Sequence, residues 1–195
     1  PALGKTASGQ GASRKVFRYA LLSAETGFDP AQISDIYSRI VTSHIFDSLY
    51  AYDYLTRVRQ IRPERIVIFG RSLGAAVAAD LASMKPAAGL ILESPFPSIA
   101  AVARHHYGGM PVHWLLGAEF KLIDRLPQLS LPKLVIHGDQ DDIIPIEFGR
   151  QVFEAAKPPK QWYAIAGADH NNTYQVGGRV YFRQFADFIR RAIAA

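Results

Sequence analysis

The strongest chemical signal in the chain is a serine between two glycines, in the run Gly-Arg-Ser-Leu-Gly at residues 70–74. This G-x-S-x-G pattern directly follows the short apolar run 66–69 and directly precedes an alanine-rich segment that begins at Ala75. A serine on so tight a strand-to-helix turn has strained backbone geometry and projects its hydroxyl above the sheet. The N–H of the next residue then points from the helix start towards a developing oxyanion. The sequence therefore predicts Ser72 as a nucleophile and Leu73 as a backbone oxyanion contact.

A serine hydroxyl needs a neighbouring base, because it is a poor nucleophile while it is protonated. The chain has six histidines, and His170 lies in a polar loop that follows the last predicted strand. In a parallel sheet that loop overhangs the strand tips, so His170 is the predicted base. Three further histidines lie in residues 94–132 without the carboxylate spacing of a metal site, and no metal is predicted.

The base needs an acid that fixes its tautomer and stabilises its charged form. Three carboxylates, Asp139, Asp141 and Asp142, crowd the loop that follows the third predicted strand. Local chemistry does not choose among them, because an Asp-rich turn that caps the following helix accounts for at least two. The candidates occur in the order serine, aspartate, histidine along the chain.

The elements that must position these residues alternate between strands and helices. Continuous apolar runs at 65–69, 89–92, 133–136 and 161–165 predict strands that are covered on both faces, as in a parallel sheet. Helical patterns lie between and around them, at 29–59, 75–84, 146–156 and 180–193. The predicted fold class is α/β, with a mostly parallel sheet flanked by helices. Residues 1–28 are predicted as a flexible or atypical N-terminal segment, and 29–195 as the core, with a lid-like insertion at 94–132.

Composition excludes several classes of protein. The 195 residues are 49% hydrophobic and 20% charged, which favours one compact domain over a disordered chain. The net charge of +5 is spread along the chain, so nucleic-acid binding is not predicted. The chain has no cysteine, which excludes thiol catalysis and disulfides. No apolar run reaches membrane-spanning length and no signal peptide is visible, so we expect a cytoplasmic protein; the sequence does not determine the oligomeric state.

Five blocks of sequence, in order, resemble the α/β-hydrolase superfamily. They are D-x-x-x-A-x-D-Y-L at 47–55, G-x-S-L-G at 70–74, L-E-S-P-F at 92–96, H-G-x-x-D-x-x-I-P at 137–145 and D-H-N at 169–171. Within the superfamily, the chain is similar to small-lid serine hydrolases that include animal protein depalmitoylases and bacterial esterase-like proteins. This resemblance covers about residues 47–189 and implies that Asp141 is the acid. Asp169 stands where these relatives usually have glycine.

The resemblance implies a serine hydrolase that cleaves carboxylic ester or thioester bonds of a small-molecule or acylated substrate through an acyl-enzyme. Water is then the second substrate, and no metal or organic cofactor is implied. Phe96, Trp114 and Leu115, in the insertion, are predicted to line a pocket for the acyl chain. Ordinary packing against the sheet is the alternative explanation for these three residues.

One departure from the family pattern keeps other functions open. Relatives carry a His-Gly segment after an early strand that supplies the second oxyanion donor, and no such segment is visible here. Because residues 1–46 show neither that segment nor the early strands of the family, we expect the hydrolase fold to be incomplete at its N-terminus. The alternatives are a catalytically impaired α/β-hydrolase that acts as a binding module, and a peptidase on the same scaffold.

Overall fold

The computed structural model describes residues 33–108 and 121–194, and for residues 33–42 and Tyr107 it describes the backbone. The chain alternates between helices and strands. In order, the elements are α1 (Ile33–Asp53), a π-helical turn (Tyr54–Val58), a 3₁₀ turn (Pro63–Arg65), β1 (Val67–Arg71), α2 (Leu73–Met84), β2 (Gly89–Glu93), α3 (Ile99–Tyr107), α4 (Leu122–Arg125), a 3₁₀ turn (Leu126–Gln128), β3 (Lys133–Gly138), α5 (Ile146–Ala155), β4 (Lys160–Ile165) and α6 (Thr173–Ala192).

The described strands form one parallel sheet in the order β1-β2-β3-β4. Gly70 of β1 pairs with Leu92 of β2, and Leu92 pairs with Val135 of β3. The α/β fold class with a mostly parallel sheet is therefore confirmed. Because all four strands run the same way, the loops that follow them meet at one edge of the sheet, where α/β proteins bind their ligands.

Helices cover both faces of the sheet. The central strands β2 and β3 are buried along their whole length, as their uninterrupted apolar runs predict. Alternate residues point to opposite faces, so Leu90 and Leu92 pack with α1, α2 and α5, whereas Ile91 and Ile136 pack with α6. This double cover makes the sheet a rigid platform for the loops at its edge.

The differences from the predicted boundaries that bear most on the site are at the start of α2 and the start of α6. Strand β1 continues through Gly70 and Arg71, and α2 begins at Leu73 rather than at residue 75, so a single residue separates the strand from the helix. Helix α6 begins at Thr173 rather than at residue 180 and has a kink at Gly178, whose φ is 48°. Two adjacent glycines, 177 and 178, interrupt the helical pattern there, and glycine adopts that left-handed conformation at little cost.

The segment between β2 and β3 contains α3 and α4, is closed by a bridge within itself and is bonded to α2. A bridge joins Ser98 to Lys121, and Arg125 Nε donates to Asp80 Oδ1 of α2 at 2.7 Å. The predicted pocket residues Trp114 and Leu115 lie outside the described residues, as does the predicted N-terminal segment 1–28. The division into an N-terminal segment, a core and a lid-like insertion stays a prediction. Within the described residues, no helix combines the length and apolar character needed to cross a membrane.

Candidate active site

Ser72 occupies the one-residue turn between β1 and α2. Its backbone has φ 50° and ψ −123°, a conformation that non-glycine residues rarely adopt. The Ser72 N–H donates to the carbonyl of Glu93 at 2.8 Å, which holds the turn against the end of β2. Strain of this kind costs about 1–3 kcal/mol and persists where surrounding contacts enforce it. The strained strand-to-helix geometry expected from the sequence is therefore present at this serine.

The two glycines of the motif have different roles. A Cβ at Gly70 would lie 2.1 Å from the carbonyl oxygen of Gly74 and 2.6 Å from Ala78 Cβ, so position 70 admits no side chain. A Cβ at Gly74 would have no neighbour within 4 Å. Of the two glycines, Gly70 is therefore the one that permits a close approach between the strand and the helix.

Leu73 is the first residue of α2, where backbone N–H groups have no acceptor within the helix. Its side chain is buried and packs in a cluster with Phe96 and Ile144. Phe96, predicted to line an acyl pocket, is itself 4% exposed in this cluster. Binding of substrate by Phe96, Trp114 and Leu115 stays a prediction.

Asp141 and His170 meet at the carboxyl edge of the sheet. His170 Nδ1 lies 2.8 Å from Asp141 Oδ2, and both side chains are buried. The other carboxylate oxygen, Oδ1, accepts from the backbone N–H groups of Ile143 at 3.1 Å and Ile144 at 2.7 Å. Four polar contacts at this carboxylate, counting His137 below, fix its orientation towards the imidazole.

The other two aspartates of the acidic loop are exposed. Asp139 accepts from the N–H of Gly167 at 2.7 Å and so joins the acidic loop to the loop that carries His170. Of the three carboxylates, the structure therefore brings Asp141 to His170. Local chemistry left this choice open and the family resemblance implied Asp141; in the structure, burial separates Asp141 from its neighbours.

A second imidazole contacts the same carboxylate. His137 is fully buried, its Nε2 lies 2.8 Å from the carbonyl of Ile144, and that nitrogen is 3.4 Å from Asp141 Oδ2. Helix α5 packs directly on the ring, because a Cβ at Gly149 would lie 2.2 Å from His137 Nδ1. The sequence analysis placed His137 in the acidic loop without a role. Its position just before a glycine at a strand end was the available signal.

The contacts of Asp141 govern its charge. Burial alone would raise the pKa of Asp141, but hydrogen bonds from His137, His170 and the Ile144 N–H, together with the charge of His170, outweigh burial and hold that pKa below its usual range. The carboxylate is thus ionised throughout the neutral range and is able to stabilise an imidazolium beside it.

The loop that carries His170 is fixed by its own side chains. Asp169 Oδ1 accepts from the N–H groups of Asn171 at 2.7 Å and Asn172 at 3.0 Å, and Asn172 Oδ1 accepts from the Asp169 N–H at 2.9 Å. These reciprocal bonds form an Asx-type turn that leads directly into α6. The aspartate that stands where relatives have glycine therefore has a structural function in this chain.

A buried carboxylate that sequence analysis gave no role lies beside the serine turn. Glu93, at the end of β2, accepts from Tyr181 OH at 2.8 Å and from Thr173 Oγ1. Burial, and then the charge of Glu93, raise the pKa of Tyr181 well above its usual range, so the phenol remains a donor. Arg71 forms an ion pair with Glu93 and donates to the backbone carbonyl of His170.

Within residues 33–108 and 121–194, no three His, Asp or Glu side chains are grouped so that they could hold a metal ion. Ser72 follows β1, Asp141 follows β3 and His170 follows β4, so the three lie at one edge of the sheet.

Known proteins resemble the chain in both sequence and fold. An uncharacterised protein of Mycobacterium tuberculosis is 39% identical over 145 residues, which are 74% of this chain and 50% of that protein. Alpha/beta hydrolase domain-containing protein 17B of Homo sapiens is 31% identical over 133 residues, 68% of this chain and 44% of that protein. The Pyrococcus furiosus esterase Pf2001 superposes with a TM-score of 0.63 at 20% identity, over 76% of this chain and 62% of that one. The chain belongs to the α/β-hydrolase superfamily.

The match to the superfamily covers part of each relative. This α/β-hydrolase chain spans about half the length of the curated relatives it matches. No protein-family profile matches the chain. An esterase domain from Rhodothermus marinus has the same fold, with a TM-score of 0.57 at 22% identity over 74% of this chain and 69% of that one.

Proposed function

We propose that this α/β-hydrolase is a serine hydrolase that cleaves carboxylic ester or thioester bonds through a Ser72–His170–Asp141 triad. The observation that carries the proposal is the hydrogen bond between His170 and Asp141, at the sheet edge where Ser72 stands in a strained turn. A base oriented by a buried carboxylate, near a serine held in this way, is the arrangement that serine acyl transfer requires.

The geometry of His170 assigns roles to its two ring nitrogens. Because Nδ1 faces Asp141, its proton is donated to the carboxylate and Nε2 is left as the basic nitrogen. In the proposed first step, Nε2 takes the Ser72 hydroxyl proton while Oγ attacks the acyl carbon. The carbonyl oxygen becomes an oxyanion that the N–H of Leu73 stabilises.

The remaining steps regenerate the serine. The protonated His170 gives its proton to the leaving alcohol or thiol, and the acyl group stays on Ser72. Water then loses a proton to His170 and attacks the acyl carbon; as the bond to Ser72 Oγ breaks and the carboxylic acid leaves, His170 returns that proton to Oγ. Asp141 remains ionised throughout and stabilises the imidazolium in both halves of the cycle.

A fluorophosphonate probe tests the proposal, since it reacts covalently with an activated serine. We expect the full chain to be labelled, and Ser72→Ala to lose both labelling and hydrolysis of p-nitrophenyl esters, the latter on the order of 10⁴-fold or more. Ser83→Ala is the matched control, because Ser83 is exposed on the same helix α2 and should be dispensable. If the folded wild-type chain is not labelled, the proposed activity is wrong and a binding module becomes the better explanation.

A substrate panel tests the bond class. We expect p-nitrophenyl acyl esters and acyl thioesters to be cleaved in preference to aminoacyl amides, with a rate that depends on acyl length. Preferential cleavage of the amides would identify a peptidase on this scaffold. A rate that does not change with acyl length would contradict an acyl pocket lined by Phe96, Trp114 and Leu115.

A further inference from the structure

The buried carboxylate of Glu93 joins the two loops that carry the proposed nucleophile and base. Glu93 is 1% exposed, and Thr173 Oγ1 and Tyr181 OH, both from α6, donate to it. Thr173 lies three residues after His170. On the other side, the backbone carbonyl of the same Glu93 accepts the N–H of Ser72 at 2.8 Å. One residue of β2 therefore contacts both the serine turn and the start of the helix that follows the histidine loop.

Arg71 supplies the positive charge that a buried carboxylate requires. Its Nε lies 3.5 Å from Glu93 Oε1, and its side chain is 31% exposed. Burial of an ionised carboxylate is costly unless a counter-ion and hydrogen bonds compensate it. Glu93 thus attracts the guanidinium to the side of the serine turn through an ion pair rather than a hydrogen bond.

The guanidinium reaches the histidine loop directly. Arg71 Nη2 donates to the backbone carbonyl of His170, which is 99 residues away along the chain. Arg71 is also the residue immediately before Ser72, so the same residue is covalently attached to the nucleophile and hydrogen-bonded to the base. A guanidinium fits this task because its planar fork presents several donors in fixed directions.

Resting on the proposed function, we propose that Arg71, held by Glu93, is a positioning residue that sets the backbone of His170 at the distance from Ser72 that proton transfer requires. Arg71 touches neither the substrate nor the reacting atoms in this proposal and acts through His170. A misplacement of about 1 Å in a catalytic group costs on the order of a hundredfold in rate. The loss should appear in kcat, because no contact with bound substrate is removed.

Variants of Arg71 test the positioning role. We expect Arg71→Met to slow both fluorophosphonate labelling and kcat on the order of a hundredfold with little change in KM, and Arg71→Lys to recover part of that rate. Lys85→Met is the matched control, since Lys85 caps the opposite end of α2 in an ion pair with Asp53 at 2.9 Å. That control should label at the wild-type rate.

A double variant separates positioning from loss of stability. Arg71→Met leaves Glu93 as an uncompensated buried charge, which destabilises the fold, whereas Arg71→Met with Glu93→Gln removes both charges and should regain much of the lost stability. Positioning predicts that the double variant regains stability and remains slow in labelling. If labelling recovers together with stability, Arg71 is merely structural and the inference is wrong.

Amide hydrogen exchange distinguishes failure of this inference from failure of the proposed function. We expect Arg71→Met to speed exchange in residues 167–173 and Lys85→Met to leave that segment unchanged, whether or not the chain is an active hydrolase. A wild-type chain that is not labelled overturns the proposed function. If residues 167–173 of a folded Arg71→Met variant exchange their amide hydrogens at the wild-type rate, the positioning role is wrong.

Discussion

The two ends of strand β3 both carry a buried charged side chain. Lys133, at the start, is fully buried, and its Nζ donates to the carbonyls of Leu129 at 2.8 Å and Leu131 at 2.6 Å. Asp141, just past the end, is 7% exposed and accepts from His170, 29 residues away. Both charges have hydrogen-bonded partners, but those of Lys133 lie within four residues along the chain.

The difference in partners separates the roles of the two ends. Bonds from Lys133 close a local turn and can form without the rest of the sheet. Asp141 also accepts local bonds, from the N–H groups of Ile143 and Ile144, but the bond that it accepts from His170 forms only when β3 and β4 are paired and the loops that follow them meet. The comparison indicates that a buried charge with hydrogen-bond partners nearby in the chain supports the local structure. A buried charge with a partner from a distant loop also brings side chains of different loops together.

The largest effect on turnover is expected from a substitution just past the carboxyl end of β3. Asp141→Asn should lower kcat on the order of 10⁴-fold, because an amide in place of the carboxylate favours the wrong imidazole tautomer. Asp139→Asn, in the same loop, should cost less than about tenfold, because Asp139 is exposed and contacts the histidine loop through a backbone N–H. Steady-state ester hydrolysis measures both. A larger loss in Asp139→Asn would refute the choice of Asp141.

The same variant should alter stability in acid. The lowered pKa of Asp141 means that its contribution to stability is fully present above its unfolded value of 3.8 and is lost as the pH falls through the folded value. Asp141→Asn should therefore be less stable than wild type at neutral pH, with a gap that narrows below about pH 4. Urea denaturation at several pH values checks this, and a constant gap would contradict it.

A smaller effect is expected where α5 packs on the carboxyl half of β3. Gly149→Ala places a Cβ 2.2 Å from His137 Nδ1, so the ring or the helix must move. We expect a loss of about 1–3 kcal/mol in the free energy of unfolding and reduced turnover, because His137 contacts Asp141. Gly74→Ala is the control for stability, since its Cβ has open space and should not lower the free energy of unfolding. Equal stability in the two variants would show that α5 does not constrain His137.

The smallest effect is expected at the amino end of β3. Lys133→Met removes two hydrogen bonds, but it also removes the unfavourable burial of a charge. Because the two effects oppose each other, the free energy of unfolding should change by about 1 kcal/mol, and kcat should be unchanged. Burial, and then the charge of Lys160, lower the pKa of Lys133, so the unfolded chain binds more protons and wild-type stability should rise relative to the variant as the pH approaches 10.5. If Lys133→Met lowers turnover by more than about tenfold, the amino end of β3 also contributes to activity and the proposed difference between the two ends is wrong.

The sequence was sufficient to predict the parts of the fold that depend on local pattern. Continuous apolar runs predicted the four strands and their parallel arrangement, and the glycine-flanked serine predicted the turn at Ser72. The onset of α6 at Thr173 was missed because two glycines break the helical period, while tertiary contacts of Thr173 and Tyr181 with Glu93 stabilise the early start.

Contacts between distant segments account for what the sequence left open in the site. Burial distinguishes Asp141 from Asp139 and Asp142, and burial depends on how β3, β4 and their loops pack. The contacts of His137 and Glu93 with the candidate triad depend likewise on strand register. Arg71 stood inside the motif, yet its bond to His170 spans 99 residues and has no local pattern.

The order of the strands in space, which is also their order along the chain, has a consequence for biosynthesis. A ribosome releases the segment with Ser72 first, then Glu93, then Asp141, and His170 and α6 last. The bond that closes the serine turn spans 21 residues, while the bonds that join the histidine loop and the start of α6 to Arg71 and Glu93 span 80 to 99. A nascent chain would thus form the serine turn before His170, the proposed base, has been synthesised, and under the proposed mechanism a chain released before residue 170 would be inactive.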